Sequence, residues 1–366
     1  MSILKVDTLQ NSVGENLVFG NKNLLINGSQ SVWQRSTSTS VSTDTYSTVD
    51  RWKTRVNSMG AFTISRSTDV PSGQGFGYST KWDCTTADAS PAASDNIVFE
   101  QRIEGQNLQH ILKGDSSNAK KLTLSFWIKT NKTGTYICEL IDIDNSRNIS
   151  KSFTISSSST WEKITLTYDG DTTGTLDNDN AFSFGVMIWF GAGSDFTTGT
   201  LQTSWGTVGT NRAVGVVNLA DSTSNELYIT GIQLEVGSKA TDFEFESYER
   251  TLSRCQRYYL QSWELSTGIL NLKGASIYNG TVDGAGAIYV WVPFSSALRS
   301  SPTVVTYSSS TGTSGKWIGN RSGSGSSDRT TSSPNTSPKS FYMNVSVGGV
   351  HVACQVYGHW SADAEL

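Results

Sequence analysis

Between about residues 23 and 248 the chain is written as short runs in which apolar and polar positions alternate, each run closed by Gly, Asn, Asp or Ser. Leu122, Leu124, Phe126 and Ile128 alternate with Thr123, Ser125 and Trp127; Ile164, Leu166 and Tyr168 alternate with Lys163, Thr165 and Thr167. A period of two is what a strand with one buried face requires, because successive side chains point to opposite sides of a sheet. On this basis strands are predicted over 61–65, 97–103, 121–129, 134–143, 150–155, 161–168, 182–190 and 226–236. Many short strands at this spacing argue for a β-sandwich. One short helix is expected over 104–112.

The pattern changes at 249–261, where Leu252, Cys255 and Tyr259 follow a helical period with Tyr258 beside them. Strand-like runs then resume at 268–272, 287–293, 303–307, 316–318, 341–347 and 351–362. The stretch 312–338, apart from 316–320, is so rich in Ser, Gly, Thr and Asn that it reads as an exposed hairpin tip or long loop. Residues 1–22 alternate apolar and polar but are too few to bury a core alone, so they read as an arm that pairs with another chain or docks on a larger body. The expected organisation is therefore an arm (1–22), a β-sandwich domain (23–248), a linker helix (249–262) and a smaller C-terminal β-domain (263–366).

Composition narrows the function. A chain of 366 residues fits roughly two to three domains. Its formal charge is only −4, from 28 basic and 32 acidic residues, with no basic block of the kind non-specific nucleic-acid binding needs. Charged residues make up 16%, against about 25% in ordinary globular chains, which fits an all-β protein with a hydroxyl-rich surface. Four widely spaced cysteines, Cys84, Cys138, Cys255 and Cys354, make no zinc-type spacing and read as buried free thiols of a protein made in a reducing cytoplasm. No signal peptide and no apolar run long enough to span a membrane is expected.

Several segments carry a family resemblance. NLLINGSQSVWQRS from Asn23, VDRW at 49–52 and GIQLEVGSKATDFEFESYER at 231–250 followed by LSRCQRYY resemble the entry, closing strand and exit of the jelly-roll, carbohydrate-binding-module-like domains of bacteriophage tail fibres. FEQRIEGQNLQHILKG, KKLTLSFWIKTNKTGTYICEL and ITLTYDGD are similar to the interior of that domain, so the match covers about 23–259. FSSALRSSPTV at 294–304 and the terminal GHWSADAEL resemble a β-domain that follows in such fibres, with Leu298 where relatives more often have Met. The resemblance implies an all-β virion protein, a homotrimer. It would attach to other tail or baseplate proteins by its N-terminal arm, be synthesised in the host cytoplasm, and bind host surface polysaccharide without catalysis. A purely structural head, neck or baseplate component is the rival class; a glycan depolymerase is a third, without the repetitive coils of a β-helix. Within the closing strand, Leu234 should face the core while Gln233 and Glu235 face away, and Phe243 and Phe245 should pack back after the turn at Gly237.

Sugar binding by β-sandwiches rests on exposed aromatics that stack on pyranose faces, with amides, acids or arginine bonding the hydroxyls. The candidates are Trp82, Trp189, Trp205 and Tyr228 in the first domain, and Trp291, Trp317, Tyr342, Tyr357 and Trp360 in the second. Trp317 is favoured because it lies in the hydroxyl-rich stretch with Lys316, Asn320 and Arg321; Tyr342 and Trp360 complete the proposed glycan set. The acidic clusters at Asp142 and Asp144, and at Asp169 and Asp171 with Asp177 and Asp179, suit a structural Ca2+, although their spacing is not that of an EF-hand. For catalysis, His110, His351 and His359 are scattered, and Glu100, Glu104, Glu139 and Glu162 are the available carboxylates for a glycosidase pair, with nothing to mark two of them.

Overall fold

The computed structural model describes residues 22–321 and 325–366, which form two compact units. The arm expected over 1–22 lies outside the described residues except for Lys22. Of the described residues, the first unit comprises 22–31 and Ser38–Ser247; the second comprises Val32–Thr37, 248–321 and 325–366.

Unit 1 is a jelly-roll sandwich of twelve antiparallel strands. In chain order they are β1 (Ser38–Val41), β2 (Lys53–Asn57), β3 (Ala61–Ser67), β4 (Ser79–Thr86), β5 (Asn96–Glu104), β6 (Leu122–Thr130), β7 (Gly134–Asp142), β8 (Arg147–Ile155), β9 (Glu162–Tyr168), β10 (Phe182–Ala192), β11 (Gly206–Thr207) and β12 (Glu226–Val236). One sheet runs β1-β3-β4-β12-β6-β9 and the other β11-β8-β7-β10-β5-β2. The alternation works as expected: Leu122, Leu124, Phe126 and Ile128 all turn into the core. Trp82 on the first sheet meets Phe99 and Phe190 of the second edge-on, with ring centroids 5.6 and 5.0 Å apart. Large rings bridging the two inner faces supply much of the apolar area that holds such a sandwich closed.

The expected helix over 104–112 is instead two single 3-10 turns, Gly105–Asn107 and Gln109–Ile111. Leu112, in the left-handed conformation at φ 53°, stops the second turn before a helix can nucleate.

The two sequence segments that carry the resemblance meet in space. Leu24 donates its backbone N–H to the carbonyl of Leu234, and Ile232 donates to Gly28. The Asn23 amide reaches the carbonyl of Ile232. This docking falls where β12 slips register against β6, between Thr230 and Gln233, so strand β12 has free backbone groups to offer there. A side chain on Gly28 would strike the carbonyl of Ile232, which is why glycine stands at this crossing. Leu234 is in the core as expected; Gln233 and Glu235 point the other way but are buried too, because the returning chain covers them. Glu235 accepts the backbone N–H and hydroxyl of Thr241, and Gln233 accepts the N–H of Glu244. Phe243 and Phe245 form a cluster with Phe76.

Unit 2 starts with the helix Tyr248–Gln256, shorter than the expected 249–262 because the chain turns at Tyr258 and continues as a strand. Its strands are β13 (Tyr259–Gln261), β14 (Ser276–Thr281), β15 (Ala287–Pro293), β16 (Thr303–Tyr307), β17 (Lys316–Arg321), β18 (Gly325–Thr330), β19 (Asn335–Ser337), β20 (Ser340–Ser346) and β21 (Ala353–Asp363). The long β21 organises the larger sheet: its first half pairs with β14 and β17, its second half with β13 and β16. A three-stranded sheet, β15-β20-β19, packs over it around Trp317, Phe341, Met343, Val356 and Trp360. The stretch 312–338, read apart from 316–320 as an exposed hairpin tip or long loop, contains a hairpin, β17–β18, and a short strand, β19. Serine and threonine there pair through their backbones, which composition does not reveal. Residues 268–272, expected as a strand, form a bent irregular segment. Segment Val32–Thr37 belongs to this unit because the Arg35 guanidinium lies 3.7 Å over the Tyr259 ring and pairs with Asp363 and Glu365. All four cysteines are buried and free. Among the described residues no helix is long and apolar enough to cross a membrane.

Candidate functional site

The outer face of β15-β20-β19 carries three aromatic rings in the open. Tyr289, Trp291 and Tyr342 are 57%, 59% and 46% exposed. The strand AIYVWVP alternates strictly, so Ile288, Val290 and Val292 enter the core while Tyr289 and Trp291 leave it. Trp291 stands directly across from Tyr342, and the Tyr289 and Tyr342 rings are stacked with centroids 6.4 Å apart and planes 17° from parallel. The neighbouring positions on this face are polar: Asn344 is across from Tyr289, and Asn335 on β19 is across from Tyr342. The Tyr278 hydroxyl holds the backbone of Trp291 at 2.5 Å. A flat aromatic surface rimmed by amides is chemically suited to stack on the apolar face of a sugar ring and bond its hydroxyls.

The structure separates the predicted glycan residues. Trp317 is wholly buried, packed against Gly358 with its indole N–H donated to the His359 carbonyl at 3.0 Å, so it cannot stack on a ligand. Trp360 is buried as well, tied to Ser276 at 3.0 Å. Lys316 is bonded to the Thr330 hydroxyl, Asn320 is exposed and Arg321 is half-buried, all on β17 and not on the aromatic sheet. Tyr342 alone of that set lies on the platform. Trp291, weighed only as one aromatic among several, is its centre, and Tyr289 was missed. The signal that would have found Tyr289 is the alternation itself, which places 289 and 291 on one face.

In unit 1, Trp82, Trp189 and Tyr228 are buried, and the Trp205 indole is spent on the Asp169 carbonyl. The outer face of the second sheet, which presents Val98, Ile137, Met187 and Trp189, is covered by the chain's own connection between β10 and β12. Phe196, Leu201, Val208, Ala213 and Val216 of that connection pack on it. Arg212 pins the cover: it donates to both oxygens of Glu139 at 2.8 and 3.0 Å, and Trp189 donates to the same carboxylate at 2.9 Å. Burial pushes the Glu139 carboxyl up, and the Arg212 guanidinium offsets only part of that rise.

Glu100 sits across Met187 from Glu139 and is likewise sealed, held by Arg55 at 3.2 Å and Arg102 at 2.5 Å. Glu104 accepts from Gln106, and Glu162 accepts from the backbone of Ser156 and Ser157. Each of the four carboxylates suggested for a glycosidase pair is thus committed to a structural partner.

The acidic clusters do not fit a calcium ion. Lys113 bridges Asp142 and Asp171, and Arg147 grips Asp171 with two bonds at 2.8 and 2.9 Å, so cationic side chains already occupy the space between the carboxylates. Asp144 accepts the backbone N–H of Asp177, and Asp169 pairs with Lys121. Among the described residues no group of three or more candidate ligands converges.

No family model matches the chain, and no curated protein matches it. Solved structures show weak likeness. One is the enzymatically active domain of bacteriophage CBA120 tailspike protein 4, with 14% identity and a TM-score of 0.31 over 59% of this chain and 22% of that one. A putative sugar binding protein from Bacteroides thetaiotaomicron gives 14% identity and 0.34, over 59% of this chain and 100% of that one. The TmCBM61 module, solved with β-1,4-galactotriose, gives 10% and 0.29, over 59% and 100%. The chain thus spans about a fifth of the tailspike domain's length. At these identities and scores the likeness says nothing about ligand or activity.

Proposed function

We propose that this protein is a non-catalytic adhesin of a phage virion, a tail fibre or related appendage, that binds surface glycans of the host through the aromatic face of unit 2. The observation that carries this reading is the cluster of Tyr289, Trp291 and Tyr342, exposed together on one sheet and edged by Asn335 and Asn344. Contiguous aromatic surface on a soluble sandwich marks an interaction site. The virion assignment rests on the sequence resemblance of 23–259 and of the C-terminal segments to phage fibres. A single platform of this kind binds weakly, and a trimer repeated on a particle turns weak contacts into useful avidity because later contacts are intramolecular.

The experiment is affinity electrophoresis of the full chain through gels holding host surface polysaccharide, with Trp291→Ala and Tyr342→Ala as variants. Retention that falls in both variants, with unfolding temperature unchanged, is the expected result. Retention that is absent in the parent chain, or indifferent to both substitutions, removes the reading and leaves a purely architectural component. Light scattering of the same samples checks the trimer.

A further inference from the structure

The hairpin β17–β18 carries two arginines with no counter-charge among the described residues. Among the described residues neither Arg321 nor Arg329 makes an ion pair or side-chain hydrogen bond, and the Nε of each is buried without a partner. The adjacent acid does not serve them: both oxygens of Asp328 are engaged by the hydroxyls of Ser308 and Thr311, each at 2.6 Å. Guanidinium groups in a folded protein normally find a carboxylate or carbonyl, since an unmade bond at a buried donor is expensive.

Both side chains are seated in prepared places. Arg329 lies across Gly319, where a Cβ would stand 2.5 Å from its Cγ and 3.3 Å from its Nε. Arg321 reaches over the turn between β20 and β21, and its terminal nitrogen takes the space a side chain on Gly349 would fill. Arg321 is paired in register with Cys354 on β21, and Gly319 is paired with Val356 beside it. Both guanidiniums bear on the same Cys354 thiol: burial pushes that thiol up, and the two positive charges draw it back down. Two like charges over neighbouring positions of β21 repel each other, and an oxyanion that bonds their terminal N–H groups offsets the repulsion.

We propose that Arg321 and Arg329 form an anion subsite that takes the carboxylate of an acidic sugar. The saccharide class rests on the glycan-binding reading above; the anion site does not. Sulfate esters share the chemistry, and the fork geometry of arginine suits the planar carboxylate best.

The test measures the unfolding temperature of the full chain in sodium glucuronate against sodium sulfate, and against sodium chloride and glucose at matched ionic strength. Titration calorimetry with glucuronate is run on the same samples. The parent chain should be stabilised by glucuronate beyond chloride or glucose. Arg329→Gln should bind it about tenfold more weakly, as expected for the loss of one charge-assisted bond, and the double variant with Arg321→Gln should lose the shift. Trp291→Ala should keep it. No shift in the parent, or the same shift in the double variant, overturns the site. An equal or larger shift with sulfate overturns the carboxylate assignment. If glucuronate stabilises the parent while no polysaccharide is retained in the electrophoresis, the platform reading fails and the anion subsite stands.

Discussion

Replacing Arg212 by Met tests whether the cover on the second sheet of unit 1 is a built part of the fold. Glu139 is fully buried on β7 and receives three hydrogen bonds, two of them from Arg212. With Met in place the carboxylate keeps one indole donor and no directly bonded positive partner, Arg55 acting on it only through space. Stripping one member from a buried ion pair costs roughly 3 to 5 kcal/mol, because the remaining charge is left desolvated. For a unit of this size each kcal/mol moves the midpoint by about 2 to 4 °C, so Arg212→Met should unfold about 6 to 20 °C lower in scanning calorimetry.

The pH dependence gives a second handle on the same residue. The folded Glu139 carboxyl is raised above its ordinary value of 4.5, burial being the larger cause. A raised folded value means that the group's contribution is fully present below about pH 4.5 and declines as pH rises through the folded value. Removing Arg212 raises it further, so the penalty should be larger at pH 7 than at pH 4. The double variant Glu139→Gln with Arg212→Met should regain most of the loss, since no charge remains to be buried. A penalty below about 1 kcal/mol, which is the range of surface pairs, or one equal at both pH values, would refute the reasoning.

Trp317→Ala should destabilise unit 2 by about 3 to 5 kcal/mol, as for other buried aromatics cut to alanine, seen as a lower unfolding midpoint. Trp291→Ala should change stability by less than about 0.5 kcal/mol, as an exposed position does, while altering glycan retention. Burial raises the Asp171 carboxyl, but the bonds from Arg147 and Lys113 outweigh it and hold the group below its ordinary value. Its stabilisation should therefore be complete above about pH 3.8 and be lost as pH falls through the folded value; Asp171→Asn should flatten the acid limb of a stability profile. Because Lys113 and Arg147 fill the acidic cluster, EDTA and added Ca2+ should both leave the unfolding midpoint of unit 1 unchanged.

Much of the fold was legible because strand formation here is a local matter. The run Leu122 to Ile128 announces its buried face through alternation alone, and β12 was located to the residue. Strands β2 and β4 went unseen although both alternate: Thr54 and Val56 enter the core from KTRVN, and Trp82 and Cys84 from STKWDCTT, but short polar-rich strands carry too few apolar residues to stand out. The second strand of the hydroxyl-rich hairpin, β18, was hidden for a related reason, since its pairing is carried by the backbone and its side chains contribute little burial.

The aromatic chemistry shows where local reading stops. Trp317 and Trp291 both lie on strands and were both plausible sugar platforms. Alternation tells which residues share a face, but which face meets the second layer depends on where the other sheet comes to rest. Trp317 was placed under β21, and Trp291 was left outside. The acidic residues make the same point: Asp142 and Asp171 looked like ligands for a cation until Lys113, distant from both in sequence, was brought between them. The sequence by itself determined an all-β chain of two units, because a period of two and turn residues act over a few positions. Only the tertiary structure decided which rings face solvent, which charges are already neutralised and which are not, because those outcomes depend on contacts between residues tens of positions apart.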